Sequence, residues 1–138
     1  MNVNEIAVVT DKPEDMLIAI FEKQKALIEK YHKIEEQNGC LMTKDIPVDI
    51  NDPKGQMRLK DFAWRVTEEL GEAMNTLKNK PWKQTHLMTD RAHYEEEIAD
   101  AFHFFVELCI LSDIDAYKLY DLYFRKNAVN QWRQETNY

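Results

Sequence analysis

Apolar residues recur every three or four positions along most of the chain, and the strict alternation of a half-buried strand is absent. Four stretches carry this helical period. The first follows Asp11-Lys12-Pro13, an acid ahead of a first-turn proline, and runs to about Gln37, where Asn38-Gly39 stops it. Its apolar face holds Leu17, Ile20, Phe21, Leu27, Ile28 and Tyr31, and Gln24 falls on that same face. The second spans about Leu59 to Asn79, ended by Pro81, with a stripe of Leu59, Phe62, Val66, Leu70, Ala73, Met74 and Leu77. The third runs from about Arg91 to Leu111; it is apolar almost all round after Ile98, which makes it the central helix. Ser112-Asp113-Ile114-Asp115 reads as a turn plus a capping box, and the fourth helix runs from about Asp115 to Gln134. Residues 1–10 read as a short N-terminal lead, either loose or packed on a partner. The segment 38–56, with Gly39, Pro47, Pro53 and Gly55, forms a long loop, and Asn79 to Asp90 forms a connector containing Trp82, Lys83 and His86. The pattern predicts one all-α domain over 1–138, a four-helix bundle.

Composition agrees. Only 3 Gly and 4 Pro punctuate 138 residues, and 31% of the residues are charged, so helix formers dominate. The net charge of −7 argues against a basic nucleic-acid face. It does not argue against a nucleotide, because bridging cations reverse the local sign. Cys40 and Cys109 lack metal-ligand spacing and suggest a reducing compartment. No signal peptide opens the chain. The most apolar stretch, Ala101 to Leu111, is short and interrupted by His103 and Glu107, so it reads as a core helix and not a membrane span. The expected location is the cytoplasm.

Charge placement adds the chemistry. Glu69 and Glu72 sit three apart, as do Glu97 and Asp100, so each pair shares one side of a helix at the border of an apolar face. Either pair alone is commonplace on a solvated helix. Two such helices facing each other would collect four acids, which is tolerable only around a cation. Oxygen donors suit Mg²⁺ or Mn²⁺. On the fourth helix an apolar face of Leu119, Leu122 and Tyr123 continues as Lys126, Asn130 and Arg133, flanked by Asn127 and Gln134, a surface suited to phosphate oxygens and a sugar hydroxyl. The bland reading of Gln24 is a helix–helix hydrogen bond, and the functional reading is a ligand contact. Trp82 and Phe104 could stack on a base, although packing explains aromatics more often. His32, His86, His93 and His103 fall short of a di-iron centre: Glu29 with His32 gives one Glu-x-x-His, while Asp90 with His93 and Asp100 with His103 are partial substitutes. No glycine-rich phosphate loop is present.

Glu68-Glu69-Leu70-Gly71-Glu72 followed by Glu97-Ile98-Ala99-Asp100 resembles the motif of the all-α nucleoside triphosphate pyrophosphatases, the superfamily of MazG-like enzymes and dimeric dUTPases. Lys126 to Gln134 (KNAVNQWRQ) is similar to the dimeric dUTPase signature shared with phage dCTPase–dUTPases. The resemblance implies hydrolysis of a deoxynucleoside triphosphate, dUTP foremost, to the monophosphate and pyrophosphate. It implies Mg²⁺ held by Glu69, Glu72, Glu97 and Asp100, with Glu68 or Glu72 orienting or deprotonating the attacking water. Lys126 and Arg133 would bind phosphates, Asn130 and Asn127 the deoxyribose side, Gln24 the ligand, and Trp82 the neighbourhood of the base. A homodimer, or a tetramer of dimers, would carry the site near an interface. Gln134 is followed by Glu135-Thr136-Asn137-Tyr138 where the family continues into Asn-Gly-Tyr, and the helical insertion of the long dUTPases is missing. The resemblance then implies a compact, phage-type member, and both departures count against strict uracil specificity, with dCTP and purine dNTPs as alternative substrates. Outside the enzyme reading, the alternative is a non-catalytic helical interaction module.

Overall fold

The computed structural model describes residues 14–136. Four helices account for the regular structure among them: α1 (Met16–Gln37), α2 (Pro53–Asn75), α3 (Arg91–Leu111) and α4 (Ala116–Glu135), with no strand. Every helix starts on an aspartate. Asp15, Asp52, Asp90 and Asp115 each accept, through the side chain, the backbone N–H three residues on, at 2.8–3.1 Å. These caps satisfy otherwise orphaned first-turn donors, at about 1 kcal/mol each.

The expected boundaries hold for α3, for the end of α1 and, to within one residue, for α4, and shift for α2. The expected helix start at Asp11-Lys12-Pro13 and the lead over 1–10 lie outside the described residues, and α1 begins at Met16 behind Asp15. Its end is as read: Asn38 is the C-cap, and Gly39 takes the left-handed conformation (φ 69°) that a glycine adopts without strain. The helix α2 starts at Pro53, not Leu59, because Asp52 supplies the cap and Pro53 the preset first-turn φ. Gly55, expected in the loop, is therefore helical; a Cβ there would collide with the Asp49 carbonyl, so the absent side chain lets the loop close onto the helix. The loop is thus 38–52. Its Val48 N–H donates to the Leu111 carbonyl (2.9 Å), and Val48 packs with Phe62 and Leu111. At the other end α2 stops at Asn75, well short of Asn79, with Thr76 as C-cap.

The helices α2 and α3 form the principal pair. Glu69 meets Glu97, Phe62 meets Phe104 (ring centroids 6.3 Å apart), and Arg58 acts on Glu107. Falling numbers on α2 thus face rising numbers on α3, and the two helices run antiparallel. The helix α1 packs on α3, burying Phe21 and Ile28 with Val106, Cys109 and Ile110, and α4 joins this cluster through Ala116 and Leu119. Beyond that, α4 is covered little. The face expected to be core carries Leu122 and Tyr123 exposed, with Phe124, Val129 and Trp132 exposed beside them. Leu70, Met74 and Leu77, the last turns of the expected α2 stripe, are exposed too. No helix among the described residues is long and apolar enough to cross a membrane.

A candidate metal centre between two helices

Antiparallel packing places the C-terminal half of α2 beside the N-terminal half of α3. One carboxylate oxygen from each of Glu69, Glu97 and Asp100 lies within 4.8 Å of the other two. Glu97 is the anchor: only 9% of it is exposed. Its Oε1 is 3.0 Å from His93 Nε2, and its Oε2 is buried without a hydrogen-bond partner. Glu69 Oε2 is likewise buried and unpartnered. Orphaned buried oxygens on adjacent acids carry a desolvation cost that a proton or a cation must offset.

Protons supply part of it. Burial pushes the Glu69 carboxyl up to about 7; a hydrogen bond to Glu97, open only to the protonated form, and repulsion from Glu72 and Asp100 add to this. Burial also raises Asp100, with Glu96 and Glu72 adding and His103 opposing. A set of hard oxygen donors with two orphaned atoms fits Mg²⁺ or Mn²⁺, in which case the carboxylates lose their protons on binding.

Glu72 stands at the edge of the trio. It is exposed, acts electrostatically on both Glu69 and Asp100, and borders a cleft of about 360 Å³ with Asn75, Thr76, Lys78, Asp90 and His93. Glu68, one residue from Glu69, is exposed and outside the trio, because a single helical step turns its side chain by about 100°.

On the far side of Asp100, Gln24 is buried and its Oε1 accepts from His103 Nδ1 at 3.0 Å. The helix–helix hydrogen bond is therefore present. It also lines a recess with Asp100, Tyr31 and Phe104, so the ligand-contact reading keeps a place to act. Trp82, in the connector, is 76% exposed beside Lys80. Lys126, Asn127 and Asn130 are exposed on α4 and Arg133 is half-buried there. None of these α4 residues lines the clefts bordered by Glu72 or Asp100, since α4 packs chiefly on α1. The described chain brings the acids together and leaves the basic stripe apart from them.

Two groups escaped the sequence reading. His93 and His103 sit four residues before Glu97 and three after Asp100, a helical spacing that places each beside its acid. The other group is a buried ionic layer. Arg58, 1% exposed, donates to Glu35 Oε2 (3.0 Å), while Glu107, fully buried, has no hydrogen-bond partner on either oxygen. Arg65 stacks over Phe62 and Phe104 and pairs with Asp61 (2.8 Å). Arg58 was hidden by the late start expected for α2, which left it just ahead of the helix, past the loop over 38–56.

Burial pushes Glu107 up to about 7, with Arg65 and Arg58 opposing and Glu35 and Asp61 adding. A folded-state value above the unfolded one means the native protein binds that proton more tightly. The associated stability is complete below the unfolded value near 4.5 and is lost as pH rises through about 7. Glu69 has the same sign. His32, lowered first by burial and then by Arg58, has the opposite one and loses stability as pH falls below its ordinary value. In EDTA the unfolding midpoint should therefore drop between about pH 5 and about pH 8, and Glu107→Gln should flatten that drop. An unchanged slope in the variant would show that Glu107 does not titrate on unfolding.

None of the comparisons with known proteins finds a counterpart: no family model, no curated protein and no solved structure matches the chain.

Proposed function

We propose that this protein is a Mg²⁺-dependent nucleoside triphosphate diphosphatase. It converts a deoxynucleoside triphosphate, dUTP first and dCTP or a purine dNTP as alternatives, into the monophosphate and pyrophosphate. The observation that carries this reading is the meeting of Glu69, Glu97 and Asp100 across the α2–α3 seam with two buried oxygens unpartnered.

Glu69, Glu97 and Asp100 would hold Mg²⁺, or Mn²⁺, from the protein side, with Glu72 joining from the rim. When bound, the ion supplies charge neutralisation along the phosphate chain and a more acidic water. Glu72 is favoured over Glu68 as the group that orients or deprotonates the attacking water, because it faces both the acids and the open cleft. Gln24, held by His103, offers an amide beside Asp100 to the sugar side of the nucleotide. Trp82 is free to stack on a base. Phosphoryl transfer asks little covalent chemistry of these residues; positioning and charge suffice.

The cations Lys126 and Arg133, with Asn127 and Asn130, complete the site as phosphate and sugar contacts from a second copy of the chain. The exposed apolar faces of α2 and α4 (Leu70, Met74, Leu122, Phe124, Trp132) support a homodimer, or a tetramer of dimers, as the working form. The enzyme would act in the cytoplasm, that of the host if the chain is phage-encoded. The same uncovered α4 face favours the one rival reading, a non-catalytic interaction module.

The test is a phosphate-release screen over all dNTPs and NTPs with inorganic pyrophosphatase added. The expected result is phosphate that appears only with the added pyrophosphatase, is abolished by EDTA, and is lost in Glu72→Gln while helicity is kept. Full activity in that variant would remove Glu72 from the mechanism. No turnover of any nucleotide would leave the interaction module.

A further inference from the structure

We infer that His93 is a positioning residue for the cation site, holding Glu97 so that its second oxygen is presented to Glu69 and Asp100. The inference rests on the metal-centre reading and adds to it a residue outside the acid motifs.

The chain of contacts is continuous. The Asp90 side chain accepts the His93 backbone N–H (3.1 Å), which fixes His93 in the first turn of α3. One turn later Glu97 Oε1 lies 3.0 Å from His93 Nε2. An ionised carboxylate only accepts, so the imidazole donates from Nε2. That bond occupies Oε1 and leaves Oε2, buried and unpartnered, as the atom available to the trio. The carboxylate can no longer rotate freely between its two oxygens. The entropy of ordering the ligand is thus lost on folding and not on binding the ion. Hydrogen bonds of this kind to metal-binding carboxylates change affinity by about 10–100-fold when removed.

The location is selective as well. His93 lines the cleft that Glu72 borders, so its ring stands between that cleft and Glu97. Its side chain is 54% exposed and fills no core space, and its backbone cap does not depend on the ring. A change of ring therefore acts through Glu97 and not through core packing or the helix cap.

The experiment is Mn²⁺ binding, read by electron paramagnetic resonance of the free ion, on the full chain and two variants. His93→Ala should bind Mn²⁺ at least about tenfold more weakly while keeping the helicity and cooperative unfolding of the parent. His93→Gln, whose amide N–H can take the place of Nε2–H, should restore affinity to near that of the parent. Parent-like binding by His93→Ala overturns the inference. So does a His93→Gln variant as weak as His93→Ala, since the ring itself and not its hydrogen bond would then matter. If the parent chain binds no Mn²⁺, the metal-centre reading fails with it, and the parent titration alone shows which has failed.

Discussion

Glu97→Gln should lower cation affinity and turnover on the order of a hundredfold or more, while the metal-free protein becomes more resistant to unfolding. Both effects share one cause. Glu97 is the most buried of the three clustered acids, and its Oε2 is buried without a hydrogen-bond partner. The amide keeps the shape and the hydrogen bond to His93, removes the charge that a cation needs, and gives Glu69 a donor in place of a repelling neighbour. Opposite movements of function and stability mark a site where like charges are held together for a ligand. Metal-dependent turnover and thermal midpoints in EDTA, measured side by side, check it. Glu97→Gln with parent-like turnover would place the chemistry elsewhere.

Arg58→Ala should cost about 3–5 kcal/mol of unfolding free energy, because it removes the buried partner of Glu35 on α1 and leaves the fully buried Glu107 on α3 with Arg65 as its remaining cation. Arg58 joins α2 to Glu35 on α1 and faces Glu107 on α3, so its loss removes the more buried of two cations from a layer shared by three helices and leaves Arg65, 3.9 Å from Glu35, as the other. The paired change Arg58→Met with Glu107→Leu removes both desolvated ions and should be neutral or stabilising by comparison. Since total stabilities run about 5–15 kcal/mol, the single variant will lose a large share of its denaturant midpoint. Urea unfolding at fixed protein concentration measures it, which also holds any association constant across variants. A cost below about 1 kcal/mol for Arg58→Ala would mean that the layer is hydrated and Arg58 dispensable.

Periodicity made the four helices legible, because each has a face rich in apolar residues. The ends were legible where a cap was unambiguous, as at Asn38-Gly39 and at Asp115, and misplaced where proline was taken for loop. Pro53 opens α2, and reading it as loop hid both Arg58 and the tight approach of Gly55 to Asp49. The acid trio was foreseeable from spacing alone, since three-residue steps fix which side a carboxylate takes and antiparallel neighbours bring two such sides together. The His93–Glu97 hydrogen bond lay within the same helical arithmetic, whereas that of His103 to Gln24 joins α3 to α1 and depends on how those helices pack. The separation of the α4 stripe from the acids could not be read from the chain, because it depends on how one helix leaves the bundle and not on which residues share its face.

A calorimetric titration of the full chain with MgCl₂ near pH 7, in two buffers of different ionisation enthalpy, tests the cation grip across the α2–α3 seam most directly. The account predicts saturable binding accompanied by proton release, because Glu69 carries its proton up to about 7 and must shed it to act as a ligand. Absence of saturable heat at millimolar Mg²⁺, or binding with no proton released, would contradict it.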